Sequence, residues 1–328
     1  MQIMNYQKKT LIIAEVGPNH NGSLKTALKM IDKIARTGAD VIKFQLAKPE
    51  NVYSKDAFKA EYQKKNDKNK SIMQMSKKIQ LKKEDHFKLK KACNKAGVLY
   101  ACSAFDLESL KFLDKKINIP FFKIPSGEIL SLDLLKYMST SKKPILLSTG
   151  MSNFKEISRA LNILNKKNKK EIILMHCVSS YPPKKKDLNL NVIDELRKRF
   201  KKKVGYSDHS LGSEACLAAV AKQVSVIEKH VTLSKKMLGP DHKSSMEIYQ
   251  FKKFVRKIRK LEIILGTKKK IFSKSELNVR SVARKSIVTA KKILKGRKLN
   301  QKDFVFKRPG SGISPFKLKQ IIGKFSSK

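Results

Sequence analysis

The stretch VIEKHVTL, residues 226 to 233, begins and ends like a buried β-strand yet carries Glu228, Lys229 and His230 through its middle. Burying an unpaired charge costs several kcal/mol, so such groups persist in a strand only where it meets water, a metal or a ligand. The same intrusion recurs with Lys43 inside DVIKFQ, Lys123 inside FFKIPSG, and Ser207, Asp208 and His209 inside VGYSDHS. Period-two alternation places Lys43 with Gln45, Ser207 with His209, and Glu228 with His230 on shared faces. With those faces turned inward, His209 and His230 occupy neighbouring strands. Neutral imidazoles there either bind one divalent cation, leaving positions for water and substrate, or stand as hydrogen-bonded core residues. Lys43 and Lys123, joined by the hydroxyls of Ser103, Ser126, Ser148 and Ser207, make a donor set suited to a phosphate and a carboxylate together. That is the profile of a phosphorylated carboxylic acid. The competing reading sends the lysines out to solvent and uses the serines to close turns, which suits surface lysines better than lysines within VIKFQ and FFKIPS.

Positioning these groups falls to eight short β-rich runs: LIIAEVG (11–17), DVIKFQ (40–45), LYACSAF (99–105), FFKIPSG (121–127), ILLSTG (145–150), IILMHCVS (172–179), VGYSDHS (204–210) and VIEKHVTL. Amphipathic segments separate them. In SLKTALKMIDKIARTG, Leu24, Leu28, Ile31, Ile34 and Ala35 keep helical spacing and Gly38 ends the helix. Eight βα units predict an α/β fold, a (β/α)8 TIM barrel, over a doubly wound open sheet. A barrel active site lies at the carboxyl ends of the strands, and the polar residues gather there, from Glu15 on the first strand to His230 on the last. The barrel is expected over 1–265, closing with a helix at about 246–263, and residues 61–83 read as a solvated lysine-rich loop with a short helix. A linker, 266–276, then leads to 277–328, where short strands and Gly-rich turns replace the βα alternation.

Length and a hydrophobic content of 41% suit one large α/β domain with a small appendage. Cys93, Cys102, Cys177 and Cys216 lie far apart without CxxC spacing, as reduced packing residues do in a cytoplasmic protein. No apolar run reaches membrane-span length, and MQIMNYQKKT lacks the apolar core of a signal peptide, so neither membrane insertion nor export is expected. The net charge of +47 raises the prospect of a basic nucleic-acid-binding protein on a non-catalytic barrel. The lysines, however, are scattered without interleaved aromatics, as in a solvated coat, and the decorated strand ends are intact. No specific nucleic acid is expected.

The motifs resemble the sialic acid synthase family, whose members condense phosphoenolpyruvate with an N-acetylated hexose. The matching pieces are AEVGPNHNGS (14–23), GADVIKFQ (38–45), FKIPSGE (122–128), LLSTGM (146–151), HCVSSYP (176–182), GYSDHS (205–210), EKHVTL (228–233) and GPDHKSS (239–245). The tail, with NVRSVARKSIV and KRPGSGISP, is similar to the family's SAF (antifreeze-like) domain, shortened just after IIGK. The resemblance implies that Lys43, Ser103, Lys123, Ser126, Ser148 and Ser207 hold phosphoenolpyruvate, with Ser103 standing for a family threonine. It implies that His209 and His230 ligate Mn2+ or Mg2+, and that Glu15 is the base. Gln45, Glu128, Tyr181 and Asp241 would contact the sugar, with Arg280 reaching in from the SAF domain of the partner in a homodimer. The implied activity is N-acetylneuraminate synthesis from N-acetylmannosamine; the alternative acceptor is the 2,4-diacetamido-2,4,6-trideoxy hexose that gives legionaminic acid.

Overall fold

In a computed structural model describing residues 9–67 and 71–327, the eight apolar runs form eight parallel strands. Residues 1–8, most of the N-terminal MQIMNYQKKT, lie outside the described residues. The strands are β1 (Leu11–Glu15), β2 (Val41–Leu46), β3 (Leu99–Ala104), β4 (Phe122–Ile124), β5 (Ile145–Ser148), β6 (Ile172–His176), β7 (Val204–Asp208) and β8 (Val226–Thr232). Their hydrogen-bonded order is β3-β2-β1-β8-β7-β6-β5-β4, so β8 returns to β1, while β3 and β4 stand side by side without a shared ladder. The result is a nearly closed eight-stranded parallel barrel wrapped by helices, as a TIM barrel is.

The helices are α1 (Leu24–Ala35), α2 (Pro49–Val52), α3 (Glu61–Asn66), α4 (Ile72–Ile79), α5 (Asp85–Lys95), α6 (Leu107–Phe112), α7 (Leu132–Ser139), α8 (Phe154–Asn165), α9 (Val192–Phe200), α10 (Glu214–Ala221), α11 (Ile248–Leu265) and α12 (Glu276–Ala283). α1 starts because the Ser23 hydroxyl accepts from Thr26 N, and it buries Ala27, Met30, Ile31 and Ile34. The described residues of the 61–83 stretch are more helical than a solvated loop with a short helix. They form α3 and α4, and Ile72, Met75 and Leu81 are buried. α11 seals the base of β1, where Arg259 binds Asp40 Oδ2 at 2.8 Å and the Thr10 carbonyl at 2.8 Å.

Alternation gives the barrel two apolar layers. Outward side chains such as Ile12, Ile42, Leu147 and Ile227 join the helices in one large core. Leu11, Ile13, Val41, Ala101, Phe121, Leu146, Ile173, Met175 and Val226 point inward and make a separate plug. Gly205 of β7 completes this plug by leaving room for Met175: a Cβ there would collide with Met175 Sδ and come within 3.0 Å of Val226 Cβ.

The chain divides into two compact units, Met1–Gly266 and Thr267–Lys328. In the second, α12 precedes an antiparallel pair, β10 (Ser286–Thr289) and β11 (Phe304–Lys307), a two-residue strand β9 (Met246–Glu247) having ended the barrel's strand count. Among the described residues of this unit no hydrophobic side chain is fully buried, while Asp303 is buried and bound to Arg297 at 2.8 Å.

Because the plug is packed around the space at Gly205, Gly205→Ala should lower stability by about 1–3 kcal/mol through overpacking. Urea unfolding checks this; a midpoint equal to that of the parent would mean that Met175 moves aside freely.

Candidate active site

Directly above the plug, the next inward position on most strands is polar. Glu15, Lys43, Ser103, Lys123, Ser148, Ser207 and Glu228 are all buried. Lys43 Nζ lies 2.8 Å from Glu15 Oε2 and 3.6 Å from Glu228 Oε2, and it donates to Ser103 Oγ at 3.0 Å. Lys123 Nζ lies 3.3 Å from Glu228 Oε1, which also accepts from Ser207 Oγ at 3.0 Å. Gln45 Nε2 donates to Glu15 Oε1 at 2.8 Å. Two ammonium groups and two carboxylates thus neutralise one another where none could be buried alone.

Their environments separate the two carboxyls. Burial pushes Glu15 up to about 7 even though Lys43 opposes it. Burial also acts to raise Glu228, but Lys123 and Lys43 outweigh it and hold the group well below the ordinary carboxylate range. For Lys43, burial disfavours the charged form, yet Glu15 and Glu228 together keep its ammonium above the usual value. A carboxyl near neutrality beside one that stays ionised is an arrangement suited to proton transfer.

The third ionisable residue of the opening strand has a different task. Lys229 faces outward, 2.5 Å from Asp208 Oδ2 and donating to the Ser210 carbonyl at 2.8 Å, so this pair ties β8 to β7 behind the barrel wall.

One level higher, His209 and His230 face each other with ring centroids 5.5 Å apart. His209 Nδ1 donates to the Val178 carbonyl at 2.8 Å, which leaves Nε2 as the lone-pair nitrogen, 3.2 Å from the Tyr181 hydroxyl. Burial lowers both imidazoles, that of His230 far below its ordinary value with His209 and Lys43 adding to the effect, so both are neutral. His230 Nδ1 is buried without a hydrogen-bond partner, 3.7 Å from Asp241 Oδ2. Burial, and then Glu15, raise the Asp241 carboxyl to about 7. An orphaned imidazole nitrogen beside a second neutral imidazole whose other nitrogen is anchored fits a divalent cation. Among the described residues no group of three His, Cys, Asp or Glu side chains is arranged to hold a metal. The pair would therefore leave coordination positions to water or substrate.

Loops hold this upper level in place. Asn19 Nδ2 donates to the Val231 carbonyl and to Ser245 Oγ, both at 2.8 Å, and Asn21 Nδ2 donates to the Leu238 carbonyl at 2.9 Å. PNHNG thus clamps the GPDHKSS loop that carries Asp241. Gly17 starts the turn at φ 50°, and a Cβ there would press on Gln45 and Glu15 at 3.2 Å.

The structure brings Glu15, Lys43, Gln45, Ser103, Lys123, Ser126, Ser148, Tyr181, Ser207, His209 and His230 around one cavity of about 280 Å3. Asp241 is not among the lining residues, its carboxylate lying 3.7 Å from His230 Nδ1. Glu128 does not line this cavity: its carboxylate accepts from Ser131 Oγ and faces a neighbouring cavity with Asp106 and Asp133. Arg280 lies in the second unit, its guanidinium 4.2 Å from the Phe272 ring centroid. Further lining residues have no site role from the sequence, among them Glu228, Cys177 with its Sγ 3.1 Å from Ser126 Oγ, and Tyr62. Alternation had already paired Glu228 with His230, and that signal was sufficient to find it. For Tyr62 there was no comparable signal.

A profile of the NeuB family matches residues 30–270. The chain belongs to the NeuB family. Among its relatives, an N,N'-diacetyllegionaminic acid synthase of Campylobacter jejuni is 43% identical over 98% of this chain and 97% of its own length. A second N,N'-diacetyllegionaminic acid synthase, from Legionella pneumophila, is 37% identical over 95% of this chain and 89% of its own. The crystal structure of an N-acetylneuraminic acid (sialic acid) synthetase from Leptospira borgpetersenii, in complex with citrate, matches with a TM-score of 0.74 at 35% identity, covering 82% of this chain and 89% of that one.

Glu228 is the carboxylate shared by both lysines of this NeuB-family barrel. Glu228→Gln keeps its shape but leaves excess buried positive charge, so the loss of stability should be about 3–5 kcal/mol. Ser207→Ala, which removes only a hydrogen-bond donor to Glu228, should cost about 1 kcal/mol. Urea unfolding of both variants checks the ranking, and equal losses would show that the charge balance is not what matters.

Proposed function

We propose that the protein is a nonulosonate synthase that condenses phosphoenolpyruvate with a 2,4-diacetamido-2,4,6-trideoxy hexose, giving a legionaminic acid and inorganic phosphate. The observation that carries the reading is the vertical order of the cavity: two lysines and a set of hydroxyls at its floor, two neutral histidines directly above. The floor suits a molecule bearing both phosphate and carboxylate. The choice of acceptor reverses the order suggested by the motifs, where N-acetylmannosamine came first. It rests on the two relatives named as N,N'-diacetyllegionaminic acid synthases, at 43% and 37% identity.

In this mechanism Lys43 and Lys123 hold the anionic groups, while Ser103, Ser126, Ser148 and Ser207 orient them. The methylene carbon of phosphoenolpyruvate forms a bond to the aldehyde carbon of the open-chain sugar with its enol π pair, leaving C2 electron-deficient, and the aldehyde oxygen takes up the proton that Glu15 draws from the attacking water. Glu15, with its carboxyl near neutrality, takes a proton from the water that adds to C2, and the tetrahedral centre expels phosphate. A divalent cation, Mn2+ or Mg2+, held by His209 and His230 would polarise the aldehyde. Gln45 and Tyr181, which line the cavity, would contact the sugar, Asp241 would act on it from beside His230, and Glu128 would serve it only from the neighbouring cavity. The reading extends to 277–328 as a SAF (antifreeze-like) domain and to a homodimer in which Arg280 serves the partner's barrel, supported by the resemblance of NVRSVARKSIV and KRPGSGISP. Sedimentation of the purified protein as a monomer would remove the dimer.

Phosphate release and product mass, measured with phosphoenolpyruvate and each acceptor, test the reaction. Turnover should favour the diacetamido sugar over N-acetylmannosamine, and the opposite ranking would return the assignment to neuraminate synthesis. Lys123→Met should raise the KM for phosphoenolpyruvate by roughly 10- to 100-fold, the equivalent of one charge-assisted contact, and leave that for the sugar unchanged. Equal effects on both substrates would remove Lys123 from the phosphoenolpyruvate site. His230→Ala should abolish Mn2+ binding in calorimetry without unfolding the protein; retained binding would exclude His230 as a ligand.

A further inference from the structure

The cavity has a charged floor but not a charged rim. Its outer wall is built by Tyr62, Tyr181, Phe105 and Met151, the last 74% exposed although it is a large apolar side chain. Tyr62 comes from α3, within the stretch whose lysines suggested a solvated loop. Its ring stacks on Tyr181 with centroids 4.9 Å apart and planes 25° apart. Tyr181 in turn lies 4.2 Å from the His209 ring and meets His230 edge-on at 5.9 Å. The two tyrosines thus form a continuous aromatic wall rising from the histidine pair to the cavity mouth.

A six-residue helix would not keep an aromatic ring in place by itself. α3 is tied down at its C-terminal end, where Asn66 Nδ2 donates to the Pro240 carbonyl at 3.1 Å, next to Asp241. Before it, Lys59 Nζ donates to the Asp67 carbonyl at 2.9 Å, closing the loop on itself. Tyr62 is therefore positioned by the same loop that carries Asp241 and not only by its own helix.

We propose that Tyr62 is a specificity-determining residue, and that its ring favours acceptors bearing additional methyl-ended substituents, a second acetamido and a 6-deoxy group, over those with hydroxyls in their place. The physical reason lies in what each sugar does at the wall. A hydroxyl placed against an aromatic face loses water without gaining a comparable partner, whereas a methyl group buries apolar area there. With the reacting carbonyl at the histidines, the far end of the sugar comes to lie along Tyr181 and Tyr62. The inference rests on the proposed function, because it presumes that the floor takes phosphoenolpyruvate and the rim takes the sugar.

The test compares the wild type with Tyr62→Ala and Tyr62→Phe, using the diacetamido-trideoxy hexose and N-acetylmannosamine in turn. Tyr62→Ala should reduce the preference for the diacetamido sugar by about tenfold, the scale on which apolar pockets discriminate small groups. The loss should appear in the KM for that sugar, with kcat and the KM for phosphoenolpyruvate unmoved. Tyr62→Phe keeps the ring and should keep the preference. A Tyr62→Ala variant that loses both acceptors equally, or loses kcat instead of affinity, would assign Tyr62 a structural role and overturn the inference, as would a phenylalanine variant that behaves like the alanine one. A wild type that prefers the diacetamido sugar while Tyr62→Ala retains the preference removes this inference alone. A wild type that turns over neither sugar removes the proposed function and this inference with it, and that result is visible before any variant is made.

Discussion

Four charges buried at one level of the barrel, Glu15, Lys43, Lys123 and Glu228, set the terms for the rest of the structure. Each would be untenable alone, since desolvating a carboxylate or ammonium costs more than any single contact in a folded chain returns. They are tolerable because β1, β2, β4 and β8 present them on the same side of the pleat and at the same height. A slip of one residue in any of these strands would turn its charge into the apolar outer layer. The register of Glu15 with Lys43 on one side and with His230 on the other is therefore a condition of folding as well as of chemistry.

The layers on either side follow from that constraint. Below, the inward plug from Leu11 to Val226 is packed closely enough to need a glycine at position 205. Above, the imidazoles of His209 and His230 are kept neutral by burial, and loops from β1 and β8 interlock through Asn19, Asn21 and Ser245. Rigid strands thus carry the ionic groups, while loops clamped to one another carry the groups nearest the mouth. This division suits a site in which the charges must be preorganised before a substrate arrives.

The barrel was legible because burial on both faces of a parallel strand leaves long apolar runs, and the inward-facing polar intrusions in those runs mark the carboxyl end of the barrel. Alternation correctly grouped Lys43 with Gln45 and His209 with Ser207. It also paired Glu228 with His230, but a lone strand carries no mark that its acid will meet two lysines from β2 and β4. Tyr62 was hidden for another reason: its placement depends on Asn66 reaching Pro240, a contact between residues far apart in sequence, inside a stretch whose composition says only that it is polar. Glu128 shows the limit of motifs, since it keeps its place in FKIPSGE but turns its carboxylate to Ser131. The missing ladder between β3 and β4 likewise leaves no trace in the spacing of the strands.

The apolar plug closes the cavity from below. A molecule seated on the lysines can neither enter nor leave from below, and once a second molecule occupies the space beneath Tyr62 and Tyr181 the first is trapped. In the proposed reaction occupancy would then be sequential, last in and first out, with the anion loaded before the sugar. In the proposed reaction, phosphate formed at the bottom would depart after the nine-carbon product unless the wall at the mouth gives way.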